Sequence, residues 1–400
     1  MNLENLLSER VKFLPEGQMH KFLRIAAQEK NITSFGPGEP DFTTPQKILD
    51  YGKTAFDKGL THYSPSSGRT ELKKAIGKKL EKENKIKLND FEKQLIVTNG
   101  STEAILLTFL VLLDPGEEVI VPNPGFLAFR PCVELVHGVA RDLNLKAENG
   151  FEINPDELAK LVSNKTRAII INTPGNPTGN VLNHKTLEEI ADIAIENDLI
   201  ILSDEAYELF TYGKAKHLSI GSLNGLEENV ITLQSFSKTF AMTGFRVGYA
   251  AGPEPVIREM TRTHMFSSIC APTISQVMAI KAFQAKKEAI EMRDAFEKRR
   301  NLMIKLVKEC DCFDLRVEPE GAFYLFPKIN LNYSSLEFTE LLLNEAKVLV
   351  IPGTEFGSQG EGFVRLSYAT TEQKIRKGIK NIKQATKFEK TTDDYGIKRI

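Results

Sequence analysis

Short apolar runs alternate with helical patterns through the middle of the chain, from about residue 90 to 285. The runs are rich in β-branched residues and read QLIVT, EVIVP, RAIIIN, LIILS, NVITLQS and RVGYAA. Between several of them lie helical stretches such as TEAILLTFLVLL and KTLEEIADIAIEN. Continuous apolar strands are typical of a sheet that is covered on both faces, and alternation with helices favours parallel strands. The pattern predicts an α/β fold built on a mostly parallel sheet.

The two ends of the chain carry a different pattern and predict a second, smaller domain. A chain of 400 residues is long enough for more than one core. The N-terminal residues form short, irregular segments, whereas a long charged helix begins near residue 286 and is followed by a few strands and helices. We predict an N-terminal arm with part of the small domain over 1–45, a large cofactor-binding domain over 46–285, the small α+β domain over 286–388, and a polar tail over 389–400.

Composition narrows the classes of partner. The 52 basic and 53 acidic residues nearly cancel, which argues against nucleic acid or an anionic membrane as a partner. The longest apolar run, Ala104–Leu113, is too short to span a bilayer, and the first residues do not form a signal peptide pattern. Four scattered cysteines fit a reduced compartment. We expect a cytoplasmic protein that binds small molecules and needs no metal.

Small and polar residues follow the predicted strands, at the edge of a parallel sheet where ligands bind. Asn99-Gly100-Ser101-Thr102 stands between a strand and a helix, so its free N–H groups suit an anion, although a simple helix cap fits the same residues. Later strands are followed by Phe126, Asn176, Asp204, Tyr207, Ser235, Ser237, Lys238 and Arg246. One shared ligand explains this set better than many separate structural roles. An amine, a carboxylate, an anion cradle and an aromatic ring are the groups that pyridoxal 5'-phosphate requires.

Competing sequence motifs do not account for these residues. The chain contains neither a GxxxxGK[ST] phosphate loop nor an HExxH zinc motif. The segment Gly36–Asp41 resembles the start of a dinucleotide-binding turn, but it lacks the third glycine and does not stand between a strand and a helix.

The chain resembles the class I/II aminotransferases, the aspartate aminotransferase-like group with the first pyridoxal-phosphate fold, and most of all their archaeal-type aromatic and aspartate branch. The resemblance extends from about Phe22 to Thr370. It rests on the motifs GPGEPDFTTP, THYSPSSG, NTPGNPTG, SDEAYE, SFSKTFAMTGFRVGY, EGAFYLFP, VIPGTEFG and FVRLSYA. It implies a seven-stranded, mostly parallel sheet with helices on both faces, and a homodimer.

The resemblance also implies a role for each matching residue. Lys238 would hold pyridoxal phosphate as a Schiff base and move the substrate proton, and Asp204 would pair with the pyridine nitrogen. Tyr207 and Asn176 would bind the ring oxygen, and Phe126 would stack on the ring. The phosphate ligands would be Gly100, Ser101, Thr102, Ser235, Ser237, Arg246 and, from the neighbouring subunit, Tyr63. The substrate-binding residues would be Arg365 and the N–H of Gly38, which would hold the α-carboxylate, together with Asn176. Gly244 and Gly248 would let the chain turn close to the phosphate, and Asn176-Pro177 would be a cis peptide.

The activity that the resemblance implies is transfer of an amino group from an L-amino acid, such as aspartate or an aromatic amino acid, to 2-oxoglutarate by a ping-pong mechanism. The segment Phe13-Leu14-Pro15-Glu16 would help to close the site. A C–S lyase or an aminocyclopropane-carboxylate-type synthase would share nearly every motif and stays an alternative. The donor stays open, because Thr102 stands where one bacterial branch has a lysine for the distal carboxylate. A ligand-sensing regulator is disfavoured, because no basic helix-turn-helix pattern precedes GPGEPDF.

Overall fold

The computed structural model describes residues 3–387 except 13, 15, 16, 19, 20, 23, 26–28 and 30. The predicted polar tail over 389–400 lies outside the described residues, and so do Phe13, Pro15 and Glu16 of the predicted closing segment.

The strands are short and are distributed along the whole described chain. In chain order they are β1 Thr33–Ser34, β2 Leu95–Thr98, β3 Glu118–Asn123, β4 Val139–Asn144, β5 Thr166–Asn172, β6 Ile200–Asp204, β7 Val230–Ser235, β8 Gly248–Ala251, β9 Phe313–Asp314, β10 Tyr324–Leu325, β11 Lys328–Ile329, β12 Val348–Leu349, β13 Ile351–Pro352 and β14 Val364–Ser367. Seven of them form one sheet in the order β2-β8-β7-β6-β5-β3-β4. Strand β8 runs antiparallel to both of its neighbours, and the other neighbouring pairs are parallel. The predicted seven-stranded, mostly parallel sheet is confirmed.

Helices cover both faces of this sheet. The helices of the described chain span Glu9–Lys12, Gln46–Asp57, Thr70–Lys79, Phe91–Gln94, Ser101–Leu112, Phe129–Leu135, Pro155–Leu161, His184–Glu196, Phe236–Thr239, Glu254–Ser267, Thr273–Ala282, Lys286–Lys308, Ser335–Leu341 and Glu372–Ala385. The last three of these pack mainly in a separate core, away from the large sheet. Alternate residues of β5 show the two cores: Ala168 and Ile170 pack with one set of helices, whereas Ile169 and Ile171 pack with the other. Because both faces are buried, the strand is apolar at successive positions, which is the pattern in the sequence.

A separate core forms around the long helix Lys286–Lys308, mostly with residues from the C-terminal part of the chain. Strand β1 pairs in parallel with β12, so an N-terminal segment belongs to the same sheet as a C-terminal one. This pairing supports the prediction that both ends of the chain build the small domain, whose boundaries stay a prediction. In the described part of the chain, no helix has the length and the apolar character needed to cross a membrane.

Candidate active site

A cavity of about 210 Å³ lies at the edge of the large sheet where β5, β6 and β7 end. It is lined by Gly36, Gly38, Ser101, Thr102, Phe126, Leu127, Asn172, Asn176, Asp204, Ala206, Tyr207, Ser235, Ser237, Lys238, Arg246, Tyr324 and Arg365. Parallel strands bring their carboxyl ends to one edge, which explains why residues far apart in sequence meet there. Of the predicted site residues, Gly100 and Tyr63 are outside this lining.

Lys238 lies on a single helical turn, Phe236–Thr239, directly after β7. The Ser235 side chain caps this turn by accepting a hydrogen bond of 3.1 Å from the backbone N–H of Ser237. The Lys238 Nζ donates to the Gly38 carbonyl oxygen over 2.6 Å. Burial lowers the pKa of Lys238 to about 8, and the positive charge of Arg365 acts in the same direction. The amine is therefore partly neutral at mildly alkaline pH, as a nucleophile requires.

Asp204 is the last residue of β6 and is 4% exposed. Its Oδ1 accepts a hydrogen bond of 3.1 Å from the backbone N–H of Ala206. Burial raises the pKa of this carboxyl to about 6. Among the described residues no cation forms an ion pair with it. A buried carboxylate of this kind is stabilised by a cationic ligand group.

Tyr207 and Asn176 line the cavity beside Asp204. The ring of Tyr207 has its centroid 6.0 Å from the Lys238 Nζ. Burial raises the pKa of Tyr207 well above its usual value, so its hydroxyl stays protonated and can donate a hydrogen bond. The peptide bond Asn176-Pro177 is cis, as predicted.

Arg365 comes from β14, the central strand of a small sheet in the order β10-β14-β13. It is 2% exposed, and its guanidinium lies 4.3 Å from the ring centroid of Tyr324. Its Nη1 donates to the Asn176 Oδ1 over 3.0 Å, and its Nη2 donates to the Gly36 carbonyl oxygen over 2.7 Å. The Nε has no hydrogen-bond partner among the described residues. The site thus contains a buried cation, Arg365, whose Nε–H is available to a ligand, and a buried carboxylate, Asp204, on a different strand.

The turn Asn99-Gly100-Ser101-Thr102, which we call the anion turn, depends on glycine for its shape. Gly100 precedes the helix Ser101–Leu112 with a φ of 78°, and a Cβ there would lie 2.5 Å from the Arg246 Nη2. Arg246 approaches this turn because β8 runs opposite to β7, so that Gly248 stands beside Ser235. A Cβ on Gly248 would lie 2.7 Å from the Ser101 nitrogen, so this glycine is needed for the close approach. The prediction for Gly244 is wrong, because its Cβ position is open and its φ is not in the left-handed range.

Tyr63 lies outside the cavity of its own chain and is 79% exposed. Its predicted role in a neighbouring subunit stays a prediction. Sequence reasoning did not assign Tyr324 and Asn172, which also line the cavity. Each had a signal: Tyr324 belongs to the motif EGAFYLFP, and Asn172 ends the apolar run RAIIIN.

The chain is similar over nearly its whole length to known proteins. Residues 30–382 match the family model described as aminotransferase class I and II. The chain is 45% identical over 390 residues to an aspartate aminotransferase of Pyrococcus abyssi. The matched region covers 96% of this chain and 100% of the relative. It is also 45% identical to aromatic-amino-acid aminotransferase 2 of Thermococcus litoralis, over 96% of this chain and 99% of the relative. The solved structure of an aromatic aminotransferase from Pyrococcus horikoshii superimposes with a TM-score of 0.86 at 43% identity, over 93% of this chain and 99% of that chain.

Proposed function

The chain belongs to the aminotransferase class I and II family and is a transaminase, and from this premise we propose that it uses pyridoxal 5'-phosphate on Lys238 to move an amino group from an L-amino acid to 2-oxoglutarate. One observation carries the proposal. A single cavity brings together the amine of Lys238, the buried carboxylate of Asp204, the anion turn before Ser101 and the buried guanidinium of Arg365.

The residues present fit pyridoxal phosphate at both ends of the molecule. Asp204 is a buried carboxylate with a raised pKa, and a protonated ring nitrogen supplies the cation that stabilises its charge. The helix Ser101–Leu112 begins at the anion turn, and the backbone N–H groups of its first residues have no acceptor within the helix. Arg246 lies beside this turn, with its Nη2 3.4 Å from the Asn99 carbonyl oxygen. The carboxylate of Asp204 would face the ring nitrogen, and the guanidinium of Arg246 would face the phosphate. The charges of the cavity therefore match the two ends of the cofactor.

The remaining contacts follow from the same geometry. Ser101, Thr102, Ser235, Ser237 and Arg246 would hold the phosphate, with Gly100 allowing Arg246 to approach. Asn176 and Tyr207 would bind the ring oxygen, and Phe126 would cover one face of the ring. When bound, pyridoxal phosphate supplies an aldehyde carbon that combines with primary amines and a ring that withdraws electrons from the substrate Cα.

The chain's own residues then bind the substrate and move its proton. Arg365 orients the α-carboxylate with its planar guanidinium, and the Gly38 N–H adds a second contact. Lys238, once its amine is free, takes the proton from the substrate Cα as a general base. Burial of this amine keeps its pKa at about 8, which is close to the working range of a general base. The first oxo acid leaves before 2-oxoglutarate binds, which is a ping-pong scheme.

We propose aspartate and aromatic amino acids as donors, because the relatives carry these names. The wall formed by Phe126 and Leu127 is shared with a second cavity of about 600 Å³, which offers room beside the site. The cation of this second cavity, Arg130, already contacts the carboxylates of Glu134 and Asp142. Because two carboxylates already compensate its charge, Arg130 would give a substrate carboxylate little advantage over an apolar side chain.

We also propose a homodimer in which Tyr63 completes the phosphate site of the partner. Tyr63 is 79% exposed and Phe266 is 82% exposed in the single chain. The Tyr63 loop lies close to the helix Glu254–Ser267 that carries Phe266, because the His264 Nδ1 donates to the Ser66 carbonyl oxygen. Large exposed aromatic side chains in one region favour an interface, and a symmetric dimer would cover both.

The test is a visible absorbance spectrum of the purified protein with pyridoxal phosphate, repeated after single amino acids are added without an oxo acid. We expect an absorbance band that requires Lys238 and that changes with aspartate, glutamate or tyrosine. A band that persists while pyruvate and ammonia accumulate would identify a lyase instead. A Lys238→Ala variant that transaminates at the normal rate would refute the assignment of the lysine.

A further inference from the structure

A buried ion pair, Glu103 with His264, lies between two segments that are proposed to contact the cofactor's phosphate. Glu103 is in the first turn of the helix Ser101–Leu112, and His264 is in the helix Glu254–Ser267. The His264 Nε2 lies 3.2 Å from the Glu103 Oε2, and His264 is 0% exposed. Neither residue lines the cavity.

Glu103 binds the anion turn on the side that faces away from the cavity. Its Oε2 accepts hydrogen bonds from the Asn99 backbone N–H over 2.6 Å and from the Asn99 Nδ2 over 2.8 Å. Its Oε1 accepts from the Ser268 hydroxyl. Asn99 stands two residues before Ser101, so its position helps to set the direction of the N–H groups of Ser101 and Thr102, with which the helix begins. The Asn99 carbonyl oxygen in turn accepts from the Arg246 Nη2 over 3.4 Å.

His264 holds the Tyr63 loop on its other side. Its Nδ1 donates to the Ser66 carbonyl oxygen over 2.8 Å. A carbonyl only accepts, so Nδ1 carries a proton, while Nε2 faces the carboxylate of Glu103. Burial alone lowers the pKa of His264, but the carboxylate of Glu103 and the Ser66 carbonyl raise it above its usual value. Burial likewise raises the pKa of Glu103, but His264, Asn99 and Ser268 bring it down to about 2.

We propose that Glu103 and His264 are positioning residues that fix the Asn99–Thr102 turn and the Tyr63 loop in the geometry that binds the cofactor's phosphate. Asn99 is bound through Glu103, and Ser66, three residues after Tyr63, is bound through His264. The pair therefore connects a phosphate contact of the same subunit to one offered to the partner. The inference rests on the proposed function, since it concerns the binding of pyridoxal phosphate.

The test compares the affinities of the cofactor-free protein for pyridoxal phosphate and for pyridoxal, which lacks the phosphate. Both dissociation constants are measured by the visible absorbance of the lysine-linked compound, in the wild type, His264→Gln and Glu103→Gln. We expect each variant to bind pyridoxal phosphate about tenfold more weakly, which corresponds to one charge-assisted hydrogen bond. The affinity for pyridoxal should stay within about twofold of the wild type, a change too small to matter on this scale.

The ratio of the two affinities separates positioning from general damage. A loss that is equal for both compounds, or no loss for either, would overturn the inference, because neither depends on the phosphate. Glu103→Gln decides by the same ratio if His264→Gln does not fold, because glutamine has nearly the shape of glutamate but lacks the negative charge that binds His264 and the Asn99 N–H. His184→Gln is the control, because His184 forms an exposed pair with Glu188 on a surface helix. A wild type without a Lys238-dependent band would refute the proposed function, whereas a wild-type band with unchanged ratios would refute this inference alone.

Discussion

The hydroxyl oxygens of Tyr207 and Tyr324 lie 2.8 Å apart in the wall of the cavity, with their rings edge to face at 5.7 Å between centroids. The two tyrosines come from segments far apart in sequence, Tyr207 from the loop after β6 and Tyr324 from β10, and they pack in the same core. Burial raises the pKa of both, so both hydroxyls are protonated and one donates to the other. The pair fixes the direction of the Tyr207 hydroxyl, which is proposed to bind the ring oxygen of the cofactor.

Tyr324→Phe should lower kcat/KM for transamination by about tenfold, because it removes a single hydrogen bond that orients Tyr207. The melting temperature should fall by only a few degrees, since the ring stays in place. Steady-state kinetics and thermal denaturation measure the two effects. Tyr51→Phe is the matched control, because Tyr51 is not among the residues that line the cavity, and its ring lies 5.0 Å from the Lys281 Nζ. An unchanged kcat/KM for Tyr324→Phe would show that Tyr207 needs no support from Tyr324.

Asp204→Asn should make the cofactor-free protein more stable at neutral pH while it abolishes transamination. The folded-state pKa of Asp204 is raised to about 6 from 3.8, so the folded protein binds the carboxyl proton more tightly than the unfolded chain does. The cost of the buried charge is therefore fully present above about pH 6 and fades as the pH falls towards 3.8. At neutral pH this cost is about 2–3 kcal/mol.

The measurement is the free energy of unfolding of both cofactor-free proteins as a function of pH. The advantage of the asparagine variant should be largest above about pH 6 and should shrink as the pH falls from there towards 3.8. With pyridoxal phosphate bound the order should reverse, because only the carboxylate stabilises a protonated ring nitrogen. A difference that is independent of pH would contradict the assignment of a raised pKa to this carboxyl.

Gly100→Ala should weaken the binding of pyridoxal phosphate, whereas Gly244→Ala should have little effect. Gly100 has a φ of 78°, and an added Cβ would lie 2.5 Å from the Arg246 Nη2. The alanine would therefore strain the turn and displace the guanidinium, at a cost of about 1 kcal/mol or more. Gly244 lies two residues before Arg246, and its Cβ position has no neighbouring atom within 4 Å. Equal loss of cofactor from both variants during dialysis would show that the turn tolerates a side chain at Gly100.

Most of the fold was readable from the sequence because the central strands are buried on both faces. Strands β5, β6 and β7 are buried at nearly every position, and each contains successive apolar residues that mark it in the sequence. The edge strand β4, Val139–Asn144, escaped this reasoning. It pairs on one side only, with β3. Three of its six residues are polar and Val139 is exposed, so no apolar run marks this strand in the sequence.

The sequence predicts the site well where a role depends on the type of residue. It predicts the site less well where a role depends on the direction in which a side chain points. Lysine, aspartate and arginine at strand ends have few structural explanations, so they stood out. Tyr324 did not, because a tyrosine in an apolar stretch is usually a core residue, and only the packing of β10 against β14 turns it towards Tyr207. Gly244 and Gly248 look alike in sequence, and only the distance between Gly248 and Ser101 separates them.

Arg365→Met should raise the KM for the amino acid donor by about 10- to 100-fold, because it removes a two-point contact with the α-carboxylate. It should also change the pH dependence of cofactor capture. The pKa of Lys238 is lowered to about 8 first by burial and next by the charge of Arg365. Without that charge the ammonium form is more stable, so the midpoint of the capture rate should move to higher pH.

The matched variant is Arg365→Lys, which keeps the positive charge but loses the planar fork. We expect its KM to rise as in the methionine variant, while the midpoint of cofactor capture stays near pH 8, the wild-type value expected from the pKa of Lys238. Stopped-flow absorbance with pyridoxal phosphate gives the midpoint, and steady-state kinetics gives the KM. If the two variants shift the midpoint equally, the charge of Arg365 does not control Lys238. If neither variant raises the KM, Arg365 does not bind the α-carboxylate. The buried guanidinium beside Asn176 would then have only a structural role.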